Sequence, residues 1–282
     1  MHEESPDPQE SADWRREFAD EARADRPDLS QLCLLIGTQA DPAFGRHGID
    51  AAQIELDRLA GLLPFGVSGA RSWAVALSEL LGVAGGFRGA PVDYQRLSSS
   101  LLHQVLRRRR GLPILLSVVW IEVARRAGAP VYGVALPGHF VVGFGAPDDL
   151  VLVDPFDGGR LLTGQDAGLL VAGATGAPLE PSMLVPAEPL DIVLRILNNI
   201  RAWAATRPER SDVQLWAVEL SLLLPSHPAR LRYEHAQLLV QRGDFLRGAA
   251  ELEDYADVVA EVEPATAEAI RGRARSARAM LN

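Results

Sequence analysis

The chain has 282 residues, 48% of them hydrophobic, and a formal net charge of −9. That is enough apolar side chain for a packed core in one large domain or two ordinary ones, and too much for a disordered chain. The acidic balance does not suit general nucleic-acid binding, and a single cysteine, Cys33, rules out an internal disulfide framework or a multi-cysteine metal site.

Residues 1–10 are rich in Pro, Glu and Ser and read as disordered. They hold no basic stretch leading into an apolar one, so no signal peptide is expected. Trp14, Phe18 and Ala22 recur at helical spacing, predicting a short amphipathic helix. Leu29–Thr38 predicts a second, with Leu32, Leu35 and Ile36 inward. Asp50 is placed to cap a third, with Ile54, Leu56, Leu59, Leu62 and Leu63 as its apolar stripe. After a break at Pro64–Gly69, Ser72–Leu81 predicts another helix. The glycine-rich stretch Gly82–Gly89 fits neither a Walker loop nor a dinucleotide fingerprint and reads as a tight loop.

Ser98–Ser100 are placed to cap a helix running through Leu101, Leu102, Val105 and Leu106 to Arg107–Arg110, ended by Gly111. Pro113 opens the next helix at the position proline prefers. Its body, Ile114–Ala127, is apolar nearly all round and therefore expected to be buried. Ser117 and Glu122 interrupt this longest apolar run, so no membrane span is expected and a cytoplasmic protein is the simplest reading. Strands are predicted at Val131–Val134, Phe140–Phe144, Leu150–Val153 and Leu161–Thr163, with a turn over Gly145–Asp149. Loops are expected from there to about Pro189. The remainder reads as five helices, at 190–206, 211–224, 228–242, 245–261 and 265–281, in pairs that suggest degenerate repeat packing.

If the turn is centred between Ala146 and Pro147, His139 lies opposite Asp154, at the separation where an Asp accepts a ring proton and fixes the tautomer. That is the base–orienter half of a catalytic triad. The plain alternative is a strand start at His139 and an Asp154 that caps its own turn. The run Arg107–Arg110 has three readings: a solvated helix end, pairing with acids such as Asp154 or Asp157, or binding of an anionic ligand through residues such as Arg109 and Arg110. His139 with Asp154 and His103 is the nearest approach to a metal site, without ligand spacing; no metal and no cofactor is expected.

Gly111-Leu112-Pro113, Arg125–Pro130 and the His139 and Asp154 strands together resemble a transglutaminase core. Closest is the SirB-type subgroup, carried by Gly86-Phe87-Arg88-Gly89, Asp93-Tyr94, Val105–Ile114, Leu136–Phe140, Asp154–Gly159 and Leu194–Asn199. The sequence departs at Ala90, where that subgroup has asparagine, and at Ser99-Ser100, where it has Asn-Ser. The resemblance implies an α+β fold: a helical N-terminal part and a transglutaminase-like, papain-type core with a small antiparallel sheet, then an all-α tetratricopeptide-like region. The implied domains are 1–28 (mostly disordered or a short helix), 29–186 (transglutaminase-like) and 187–282 (tetratricopeptide-like). The helix-opening cysteine of transglutaminases falls on Pro113, which has no nucleophile. Ser117, one turn on, is a weak substitute, since mid-helix N–H groups supply no oxyanion donors; Cys33 reads as a buried small hydrophobe. Two functions remain open. One is a degenerate domain that binds a protein or peptide through its C-terminal helices, with no nucleic acid and no membrane as partner. The other is a hydrolase or acyltransferase using His139 as general base oriented by Asp154.

Overall fold

The structure, a computed structural model, describes residues 8–281. Residues 1–7, most of the stretch read as disordered, lie outside the described residues, whereas residues 8–10 belong to a helix. Two compact units divide the chain, residues 1–196 and 197–282.

The first unit begins with α1 (Pro8–Ala22), α2 (Leu29–Ala40) and α3 (Gly45–Ala60). Phe18 and Ala22 of α1 are buried, as are Leu32, Leu35 and Ile36 of α2. Asp28 caps α2 by accepting from Gln31 N at 2.9 Å. In α3 the expected stripe is displaced. The helix starts at Gly45, so Asp50 lies inside it and caps nothing. The inward face is Ile49, Ala52, Leu56 and Leu59, while Ile54 and Leu62 are 66% and 55% exposed. α4 (Ala70–Leu77) continues through a π-helical turn at Ser78–Ala84.

α5 (Leu102–Arg108) is preceded by a 3-10 turn at Leu97–Ser100 and has no side-chain cap. Ser99 and Ser100 are buried in that turn, and Arg109, in the left-handed region at φ 56°, ends the helix ahead of Gly111. α6 (Pro113–Arg126) is the core helix: every residue from Pro113 to Ala124 is buried, and α2, α3, α4 and α5 all pack on it. Its buried Glu122 is paired with Arg125 and Arg126, at 2.7 and 3.7 Å. An isolated buried carboxylate would be costly; a paired one is tolerated.

The sheet is a four-stranded antiparallel meander, β1 (Val131–Val134), β2 (Val141–Phe144), β3 (Val151–Asp154) and β4 (Arg160–Leu162), in sequence order, with β1 and β2 against α6. The segment after β4, expected as loop, contains α7 (Gly164–Thr175). Thr163 and Asp166 form a capping box there, each accepting from the other's backbone N–H, at 3.1 and 2.8 Å. α8 (Pro189–Ala205) begins in this unit and continues past its last residue, Ile196.

The second unit holds α9 (Ser211–Leu223), α10 (Arg230–Gln241), α11 (Phe245–Ala260) and α12 (Pro264–Ala279), each packed on the next. The core between the last three is alanine-rich: Ala236, Ala249, Leu252, Ala256, Ala267, Ile270, Ala274 and Ala277. Small side chains at these positions allow close helix approach, as repeat packing requires. Among the described residues no helix is long and apolar enough to cross a membrane.

Candidate functional site

Pro113 takes the first position of α6, after Leu112 in extended conformation. It offers neither a nucleophile nor a backbone N–H. Ser117, one turn on, is fully buried, and its Oγ hydrogen-bonds to Phe140 O at 3.4 Å. The side chain points toward the strand after His139, but it is sealed in the core. Cys33 is also buried, in α2, where burial pushes its thiol pKa far up and holds it as an unreactive thiol.

His139 and Asp154 meet: Nε2 lies 2.9 Å from Asp154 Oδ2. The register is not the expected one. Val142 faces Val153 and Phe144 faces Val151, so the pairing is displaced by two residues, and His139, just before β2, contacts Asp154 diagonally. A displacement of two leaves every side chain on its face, which is why the contact survives it. The cause is the 3-10 turn at Pro147–Asp149, which moves the centre of the hairpin one residue on.

Asp154 uses both oxygens, for Oδ1 accepts from Phe156 N at 2.9 Å. It therefore caps its own turn and orients a histidine at once. With Asp154 accepting, Nε2 carries the ring proton; Nδ1 has no partner among the described residues and is not sealed. The turn that presents His139 is closed by His139 N donating to Leu136 O at 3.2 Å.

Three further residues complete the site. Phe156 sets its ring edge-on to both His139 and Tyr94, at 6.1 and 6.0 Å between centroids. The glycine-rich stretch makes that placement possible. A Cβ at Gly89 would stand 1.9 Å from the Phe156 ring, and one at Gly82 would stand 1.8 Å from Gly158 O. Tyr94 is 48% exposed. Burial of the rest of the phenol, and the nearby Asp154, raise its pKa, while Arg195 acts in the opposite sense. Arg195, on α8, donates from Nη2 to Leu136 O and His139 O, at 2.9 and 2.7 Å, and lies over the Phe140 ring. Tyr94 and Arg195 were not among the expected site residues, although both fall in sequence blocks that carry the family resemblance.

The arginine run is spoken for within the fold. Arg110 and Arg108 converge on the buried Asp93, at 3.1 and 3.6 Å, and Asp93 also accepts from Ala90 N and Ser99 Oγ. The acid that answers the run is thus Asp93, not Asp154 or Asp157. Arg109 donates to Gly85 O, and the exposed Asp157 pairs with Arg160 at 2.7 Å. His103 does not join His139. It stacks on Phe44 and lies 3.8 Å from Asp41, and burial depresses its pKa to about 4.

A small antiparallel sheet beside a buried helix, with a paired His and Asp at one end of its two central strands, is the arrangement of a transglutaminase-like core. The chain belongs to the transglutaminase-like superfamily, whose profile matches residues 50–198. A tetratricopeptide-repeat profile matches residues 200–282, and the combination is that of the SirB-type proteins. A UPF0162 protein of Xylella fastidiosa is 36% identical over 152 residues, covering 52% of this chain and 54% of that protein. A UPF0162 protein of Pseudomonas aeruginosa is 38% identical over 104 residues, 36% of this chain and 38% of that protein. The F-box only protein 21 of Mus musculus is 28% identical over 52% of this chain and 24% of its own length. The chain thus spans about half the length, or less, of these relatives.

Proposed function

We propose that this chain is a degenerate transglutaminase-like protein that works in the cytoplasm as a protein-interaction or regulatory module, without cysteine-dependent catalysis. The observation that carries the reading is Pro113 at the opening of α6, where the family places its thiol. Ser117 does not replace it, because its hydroxyl is buried and turned to Phe140 O.

The partner is a protein or peptide held by the C-terminal helices. In support, a cavity of about 350 Å³ lies among α9, α10 and α11, lined by residues including Leu222, Arg232, His235, Asp254 and Tyr255. Arg232 and Asp254 make no ion pair among the described residues, so each is available to a ligand charge. The test is affinity capture with the full-length chain and with an Arg232→Glu, Asp254→Lys double variant, followed by reconstitution with each purified candidate. The reading expects a protein that binds wild type and is lost from the double variant; an identical set of binders on both would sink it.

A second reading keeps some chemistry: His139 as general base, oriented by Asp154, in a hydrolase or acyltransferase. The 2.9 Å contact and the unsealed Nδ1 favour it. It requires turnover that depends on His139.

A further inference from the structure

Arg195 carries a charge that no carboxylate answers among the described residues. Its guanidinium is nonetheless held in place, since Nη2 is engaged by two backbone carbonyls and the plane rests over Phe140. Nε and Nη1 have no protein acceptor and are not sealed from solvent. The Tyr94 hydroxyl, close enough for its charge and that of Arg195 to act on each other, also makes no hydrogen bond among the described residues, and the His139 ring follows the carbonyl that Arg195 holds. Phe156 stands edge-on to both rings.

We propose that Arg195 and Tyr94 form a subsite, beside the His139 ring, for a carboxylate group of a peptide ligand, either an acidic side chain or a C-terminus. A fixed guanidinium with free donors is preorganised for a charge-assisted hydrogen bond, and ordering cost is already met by its backbone contacts. The Tyr94 hydroxyl supplies a second donor, and the ring of Phe156 an apolar wall for the adjoining methylene groups. Asp154 keeps its negative charge, which is felt at Tyr94, so the ligand carboxylate belongs at the free Arg195 donors and not at the His139–Asp154 pair. The surroundings favour a negative ligand as well. Residues 85–112 hold six arginines against a single acid, Asp93, in a chain whose net charge is −9. Such an excess of positive charge in the stretch that carries Tyr94 speeds encounter with acidic partners. The inference concerns the first unit alone and rests neither on the cavity among α9–α11 nor on the absence of catalysis.

The test uses the full-length chain with labelled histidines, titrated with three short capped peptides and followed through the His139 ring signals. Acetyl-Gly-Glu-Gly-amide offers a side-chain carboxylate, acetyl-Gly-Gly-Gly with a free acid offers a terminal one, and acetyl-Gly-Gln-Gly-amide offers none. Saturable shifts are expected with one or both acids and not with the glutamine peptide. Arg195→Gln should weaken binding by roughly tenfold, about 1.4 kcal/mol. Arg195 also ties the turn at Leu136–His139, so a disturbed His139 signal without peptide would mean that the turn itself has moved; Tyr94→Phe, which leaves that tie intact, then decides, and should weaken binding by about threefold. No saturable binding, equal binding of all three peptides, or unchanged affinity in Tyr94→Phe overturns the assignment and leaves Arg195 as a backbone tie.

Discussion

Asp154 and Asp93, two of the three buried carboxylates described in the first unit, do different work. Asp154 divides its oxygens between a histidine ring and its own turn. Asp93, 1% exposed, gathers a backbone N–H, a serine hydroxyl and two guanidinium groups. Removing the charge at Asp93 would leave Arg108 and Arg110 partly buried with no counter-ion. Asp93→Asn is therefore expected to lower stability by about 3 kcal/mol, read from the urea midpoint. Asp157→Asn, at an exposed pair, should change it by less than about 0.5 kcal/mol. Equal midpoints for Asp93→Asn and wild type would remove Asp93 from this role. His139 and Asp154 were legible in the sequence because they sit in short motifs beside a recognisable hairpin turn. Asp93, Tyr94 and Arg195 were not, because each acquires its partners from segments far along the chain: Asp93 from the end of α5, Tyr94 from the Asp154–Gly159 turn, and Arg195 from the Leu136–His139 turn.

At the scale of elements, strongly periodic segments were readable and weakly periodic ones were not. The four strands fall within a residue or two of their expected places, and the C-terminal helices within two. α7 was missed because Gly164, Gly168 and Gly173 dilute its apolar pattern; the box formed by Thr163 and Asp166 was the available signal. α3 was misplaced because a plausible cap, Asp50, stood inside a helix that begins five residues earlier. The glycine-rich stretch was read as a tight loop, but its necessity came from elsewhere, since the Asp154–Gly159 turn presses against it. Gly82→Ala would drive a methyl into the Gly158 carbonyl, a backbone group that cannot swing aside. A loss of about 2 kcal/mol is expected, seen as a lower melting temperature. Gly164→Ala, where a Cβ meets nothing within 4 Å, is the control and should not destabilise.

α9, α10 and α11 are joined by one histidine. His235 of α10 lies 2.5 Å from Glu251 of α11 and 3.7 Å from Glu219 of α9. Burial disfavours its charged form, but the two carboxylates outweigh this and raise its pKa above 6.5. A histidine whose folded pKa is raised adds stability that is fully present below the unfolded value. That contribution is lost as pH rises from 6.5 through the folded value. The melting temperature of wild type should therefore fall across that window. A Glu219→Gln, Glu251→Gln double variant, which removes both carboxylates that raise it, should flatten the slope; an unchanged slope would exclude His235 as its source.

For the molecule as a whole, a transglutaminase-like unit is followed by tetratricopeptide-like helices, and the two carry separate parts of the account. The first keeps an oriented imidazole with Pro113 in place of a thiol. The second offers a charged cavity in a small-residue helical stack. The central claim is that the oriented imidazole no longer serves acyl transfer. The direct measurement is turnover by the purified full-length chain, wild type and His139→Ala, assayed for amide hydrolysis and for amine incorporation into a glutamine-bearing protein. Both are expected to run at the uncatalysed rate. Turnover by wild type that disappears in His139→Ala would contradict the claim.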